Sequence, residues 1–175
     1  MKTHYKRFLT LLIVTIVYAI LSHLTEHICP LESFRPAVAI LAAYAAIEGP
    51  LFGFFMGFLG NIGVDILTGD YWWNWSIGNG IIGAVIGLLY LVPGFAPKKG
   101  EIHLIHYVMF IILSVIGNYV GLIVAALVDV CLSDYDFQMA VFQWGFGSAT
   151  ANTVMIAMLG IPLLFLYTRV KRINS

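Results

Sequence analysis

The chain has 175 residues, 61% of them hydrophobic and only 10% charged, with zero formal net charge and a mean hydropathy of +0.93. A soluble domain is about half apolar and roughly a quarter charged, so this chain carries more apolar surface than one core can hide. Neutral charge argues against a nucleic-acid partner, because phosphate binding needs clustered Lys and Arg. Six bilayer spans of about 20 residues would consume most of the chain and leave no room for a soluble catalytic domain.

The apolar segments come in chain order at 8–24, 34–47, 51–68, 76–92, 104–130 and 142–167, all in one membrane domain, 1–175. The first has a basic start (Lys2, Lys6, Arg7) but no small-x-small cleavage site after it, so it is expected to be a retained span. The second is short, and its ends are expected to tilt little or to sit in protein. Turn chemistry separates the segments: Cys29-Pro30, Gly49-Pro50, Gly69-Asp70, Pro93-Gly94 and Ser133-Asp134-Tyr135-Asp136. The predicted fold is an all-α integral membrane bundle of six helices.

Charge placement supplies the orientation. With the N-terminus inside, eight of nine basic residues fall on the inner side, and Arg35 is the exception. Seven of nine acids fall on the outer side. Both termini are therefore expected in the cytoplasm of a multi-pass cell-membrane protein.

Several chemistries can be set aside. Gly78-Asn79-Gly80-Ile81-Ile82-Gly83 matches a dinucleotide fingerprint, but it lies inside an apolar span with no strand before it. No Walker A sequence occurs, so ATP hydrolysis is assigned to partners and the chain is read as a non-enzyme. The five histidines lie in termini, loops or helix ends, and no metal-ligand spacing is present, so neither a cofactor nor a metal is expected. Cys29 and Cys131 are read as ordinary small residues near helix ends, with a disulfide as the lesser alternative. Asn74-Trp75-Ser76 matches a glycosylation sequon that is given no weight.

Glycines recur every fourth residue at Gly49, Gly53 and Gly57, at Gly83 and Gly87, and at Gly117 and Gly121. Such faces let helix backbones approach closely, and internal packing is expected ahead of docking to another subunit. Polar residues inside apolar segments are costly and call for a reason. Asn61 and Asp65 share a helix face, and Asn79, Asn118, Gln143, Trp144 and Asn152 follow on later spans. Most of this set maps to the outer half. Trp72, Trp73 and Trp75 read either as an interfacial belt or as the roof of a pocket that stacks on a planar ligand. Asn and Gln offer donors and acceptors that match heteroaromatic edges, and Arg35 alone is too little for a phosphorylated compound.

The run Arg35-Pro36-Ala37-Val38-Ala39-Ile40, then Gly49-Pro50-Leu51-Phe52-Gly53-Phe54, Gly57-Phe58-Leu59-Gly60, Asp65 and Trp72-Trp73-Asn74-Trp75, resembles the substrate-binding S components of energy-coupling factor (ECF) vitamin transporters. Gly147-Ser148-Ala149-Thr150-Ala151-Asn152 through Gly160 fits the riboflavin-type subgroup. The resemblance implies a six-helix protein that captures a vitamin outside and delivers it inward by toppling, with a transmembrane coupling subunit and two cytoplasmic ATPases. It also implies ligand contacts at the outer ends of spans four to six, under the loop from Glu32 to Arg35.

The substrate-binding set is Arg35, Asn61, Asp65, Trp72, Trp75, Asn79, Asn118, Gln143, Trp144 and Asn152. The family's alanine-x-x-x-alanine docking face on span one is matched only by Thr15 and Ala19, and Asn61 stands where relatives often have histidine. Riboflavin is the first ligand candidate, with a pyrimidine, a pyridoxine-like ring or a cobalamin-type compound open. The alternatives are a non-transporting assembly protein and a self-sufficient channel or secondary transporter, the latter disfavoured by the lack of an inverted repeat.

Overall fold

The computed structural model describes residues 2–28 and 35–174. Helix α1 runs Lys2–Ile28, α2 Val38–Glu48, α3 Pro50–Thr68, α4 Trp73–Gly87, α5 Leu104–Leu132 and α6 Gln138–Ile173. A short 3-10 turn, Leu88–Leu91, extends α4, and two wider π segments, Gln138–Gly147 and Ile156–Gly160, interrupt α6. The second π segment stands just before Pro162, which has no N–H to continue the helical ladder. Among the described residues there is no strand, only the isolated bridge Ala96–Glu101.

The six predicted segments correspond to these helices, with one correction. Five helices are long and apolar enough to cross a membrane. The sixth, α2, has 11 residues, about 16 Å of helix against a hydrocarbon core of about 30 Å. Its predicted range of 34–47 becomes Val38–Glu48: Arg35 to Ala37 form a turn ahead of it, Phe34 lies outside the described residues, and Gly49 ends it with φ +101 where Pro50 starts α3 at once. Nine of its residues are buried, so α2 is a plug inside the bundle whose ends meet protein. The remaining predicted bounds lie within or close to the observed helices.

Glycine sets how closely the helices approach. A Cβ on Gly53 would overlap the carbonyl of Gly83, and one on Gly83 would overlap that of Gly53. Gly57 stands equally close to the carbonyl of Asn79, and Gly87 lies against Pro50. Gly78 and Gly121 form the matching contact between α4 and α5. The predicted glycine faces are thus occupied within the chain, where dispersion between close backbones holds helices that lipid cannot squeeze together. The outer surface is a girdle of exposed Leu, Ile, Val and Phe from α1, α3, α5 and α6, with Leu88 and Leu91 of the turn after α4.

Charge also sorts between the ends. Arg7 Nε donates to Glu48 Oε2 at 2.8 Å, and Lys98 Nζ meets Glu48 Oε1 at 2.6 Å. Gly100 packs on Arg172 nearby. The start of α1, the α2–α3 corner, the 97–100 loop and the end of α6 therefore share one end of the bundle. Asp65, Trp72 and Asp129 gather at the other.

The predicted docking stripe changes here. Thr15 and Ala19 do not form an outward docking face: both are buried, with Ala19 against Gly63 of α3. The neighbouring Tyr18 lies over Gly60, so this stripe of α1 is its inner one. Cys131 is an exposed free thiol, while Cys29 and Glu32 lie outside the described residues.

Candidate functional site

Past the Gly57–Asn79 contact, the glycines of α3 and α4 give way to side chains, and the helices enclose a space. This cavity has a volume of about 330 Å³ and is lined by Arg35, Asn61, Val64, Asp65, Trp72, Trp75, Asn79, Leu122, Trp144, Ser148 and Asn152. Eight of the ten predicted substrate-binding residues lie on it. They arrive from α3, α4, α6, the α3–α4 loop and the segment before α2.

The wall made by α3 and α4 is a continuous hydrogen-bond network. Asn79 Nδ2 donates to Asn61 Oδ1 at 3.2 Å and to the Trp75 carbonyl at 2.9 Å. Asn61 Nδ2 donates in turn to Ser76 Oγ at 3.1 Å and, at a longer 3.4 Å, to Asp65 Oδ1. The Trp72 backbone N–H donates to Asp65 Oδ2 at 3.1 Å, which turns the loop after Gly69 back over the cavity. From α1, the Tyr18 hydroxyl reaches Asn79 Oδ1 at 3.4 Å. Polar groups buried at this depth are tolerable because they pair with one another.

Asp129 of α5 anchors the start of α4. Its Oδ1 accepts from Asn74 Nδ2 at 2.7 Å and its Oδ2 from the Trp75 indole at 2.7 Å. Asn74 donates also to the Ala125 carbonyl at 2.9 Å. The sequon asparagine is therefore buried and engaged, and Trp75 is held with its ring edge fixed. Trp73 instead is exposed, so the tryptophan cluster divides between a surface ring and two rings on the cavity.

The α6 wall differs. Trp144, Ser148 and Asn152 follow at four-residue steps on one face. Trp144 packs edge-on against Trp72 at 6.5 Å and Tyr135 at 5.2 Å, and Trp72 lies 6.0 Å from Tyr135. These three rings join the α3–α4 and α5–α6 loops across the cavity. Asn152 is 3% exposed, yet its Oδ1 has no hydrogen-bond partner.

Two predicted residues are off the lining. Gln143 is exposed, since adjacent residues of a helix point in different directions and Trp144 takes the inward one. Asn118 is fully buried one turn from Leu122, with Nδ2 donating back to the Ser114 carbonyl at 2.8 Å. Sequence reasoning missed Val64, Leu122 and Ser148. Nothing marks the two aliphatics, but Ser148 lies midway between Trp144 and Asn152 at helical spacing. The lining thus carries one carboxylate, one guanidinium, three indoles and the three side-chain amides of Asn61, Asn79 and Asn152.

The comparisons with known proteins agree with this architecture. The family model described as "ECF-type riboflavin transporter, S component" matches residues 6–169. The chain is 33% identical over 133 residues to a UPF0397 protein of Vibrio atlanticus (strain LGP32), covering 75% of this chain and 72% of that protein. It is 32% identical over 133 residues, with the same coverage, to a UPF0397 protein of Aliivibrio salmonicida (strain LFI1238). No solved structure matches it. The helical bundle with its apolar girdle, and a match that runs nearly end to end, establish that the chain belongs to the S-component family of ECF-type riboflavin transporters, multi-pass membrane proteins that bind substrate and are not themselves enzymes.

Proposed function

We propose that this protein captures a small, uncharged, planar vitamin or vitamin precursor from the outer side of the cell membrane, with riboflavin as the first candidate. The observation that carries the reading is the cavity lined by Trp72, Trp75, Trp144, Asn61, Asn79 and Asn152 at the end opposite the basic cluster. Lys and Arg favour the cytoplasmic side, so the end holding Arg7, Lys98 and Arg172 faces inward and the cavity faces out. Indoles supply flat apolar faces for a ring, and the Asn152 amide, whose Oδ1 has no partner, supplies a donor and an acceptor for its edge. The opposite charges of Arg35 and Asp65 leave the site without a net demand for an ionic ligand.

Inward delivery then draws on partners, since the sequence carries no Walker A motif. A transmembrane coupling subunit and two cytoplasmic ATPases would supply the energy, and the whole S component would topple in the bilayer to present its cavity to the inside. The exposed apolar stripe of α1, including Leu9, Leu12, Ile13, Ile16, Val17 and Ile20, is the surface offered to lipid or to that coupling subunit.

The test is to purify the protein in detergent, identify any co-purified compound by absorbance and mass spectrometry, and titrate a vitamin panel by thermal shift. A ligand at 100 times its Kd adds about 2.7 kcal/mol of stability. A saturable shift with one vitamin, lost in Asn152→Ala, is the expected result. No bound compound and no shift across the panel would overturn the proposal.

A further inference from the structure

The two walls of the cavity differ in what they leave unpaired. On the α3–α4 wall, both Asn79 amide hydrogens are taken by Asn61 and Trp75, and its carbonyl accepts from Tyr18. Both Asn61 amide hydrogens go to Ser76 and Asp65, and its carbonyl accepts from Asn79. The Trp75 indole N–H belongs to Asp129. This wall is complete without a ligand.

On the α6 wall, the side chains of Trp144, Ser148 and Asn152 make no hydrogen bond among the described residues, and Asn152 Oδ1 is buried without a partner. Ser148 differs in this from the threonines of its helix. Thr150, Thr153 and Thr168 each donate back to the carbonyl four residues earlier, as hydroxyls within helices commonly do. Ser148 keeps its hydroxyl free while lining the cavity. An amide carries a donor and an acceptor side by side, a hydroxyl carries both, and an indole N–H donates.

We infer that the strip Trp144–Ser148–Asn152 reads the identity of the ligand, that Ser148 is a specificity-determining residue, and that the ligand turns toward this strip a ring edge bearing an adjacent hydrogen-bond donor and acceptor. The α3–α4 wall is a pre-set frame that shapes the cavity and contributes ring faces. A lactam, imide or aminopyrimidine edge fits the strip, because such an edge pairs with an amide through two parallel hydrogen bonds. Rotation about the Asn152 side-chain amide torsion, a soft one, turns either end of the amide to the ligand. A ring without such an edge would leave Asn152 and Ser148 unpaired and be rejected, since a site built to hydrogen-bond discriminates strongly against analogues that lack the partner group.

This inference rests on the proposed capture of a planar vitamin, and the experiment separates the two. Binding to purified wild-type protein is measured by calorimetry for riboflavin and its analogue methylated on the imide nitrogen, for an aminopyrimidine and its dimethylamino counterpart, and for pyridoxine. Wild-type protein is expected to prefer at least one parent compound over its methylated form by about tenfold or more. Ser148→Ala is expected to weaken the parent roughly 3- to 10-fold and to shrink that preference, with the melting temperature of ligand-free protein unchanged. Ser148→Thr, which restores a hydroxyl, should recover part of the preference. Asn74→Ala, a buried position off the lining that bonds Asp129 and the Ala125 carbonyl, should instead lower the ligand-free melting temperature and leave the preference ratio in place. Equal binding of parent and methylated compounds, or a ratio that Ser148→Ala does not move, overturns the inference while capture of a vitamin stands. Absence of binding to every compound overturns both.

Discussion

The helix pair α3–α4 is two different structures along one seam. In the half nearer the basic end, Gly53 meets Gly83 and Gly87 meets Pro50, and the backbones touch with nothing between them. In the half nearer the acidic end, Asn61, Asp65, Trp75 and Asn79 hold the same helices apart with a hydrogen-bond network and an open cavity. The tight half fixes the angle at which the helices diverge, and the divergence makes room for a ligand. Stability and binding are thus assigned to different stretches of the same two helices, which makes them separable by mutation.

The sharpest way to break that division is to open the tight half. Gly83→Val places a branched side chain on the Gly53 backbone, and is expected to cost about 3 kcal/mol or more. Loss of monodisperse protein on size-exclusion chromatography, with or without ligand, would show it; a normal profile would mean that the glycine contact is not limiting. Next comes the anchor between α4 and α5. Asp129→Ala strands the Asn74 amide and the Trp75 indole, and is expected to cost roughly 2–4 kcal/mol in thermal unfolding. Asp129→Asn should recover part of that loss.

On the open half, the effect should shift from stability to affinity. Trp144→Ala removes a partly exposed ring that packs with Trp72 and Tyr135 at the cavity rim and against the small Ala126, Ala140 and Val141 cluster. It is expected to weaken ligand binding by roughly thirtyfold, the size of an aromatic hot spot, while the ligand-free melting temperature moves little. A large drop in that temperature would place Trp144 among the structural residues instead. The smallest effect is expected at the basic end. Glu48→Gln removes the pairing with Arg7 and Lys98, and should cost under about 1 kcal/mol, less in high salt, because both cations are partly exposed.

Much of the fold was legible from residue order. Apolar runs located five membrane-length helices, and the Gly49-Pro50 corner marked where α2 had to stop. The exact role of α2 was not legible: an 11-residue apolar helix reads the same whether lipid or protein surrounds it. The candidate site was legible as a set, since Asn61, Asp65, Asn79, Trp144 and Asn152 all stand out as polar or aromatic groups in apolar surroundings. Gln143 and Asn118 stand out equally, yet one faces outward and the other is buried off the cavity, its Nδ2 bonded to its own helix and its Oδ1 without a partner. Thr15 and Ala19 were misplaced for the same reason, because spacing along α1 identifies a stripe but not the neighbour it meets.

Sequence by itself determined the solvent, the helices and the polarity of the bundle. Those depend on composition, on 3.6-residue periodicity and on where charges fall, all of which are local properties of the chain. Only the tertiary structure decided which polar groups are partners of one another and which are left for a ligand. That depends on how far each helix is rotated about its axis and how closely it meets the next. Contacts such as Gly53 with Gly83 and Ala19 with Gly63 set both, and they join residues far apart in the chain.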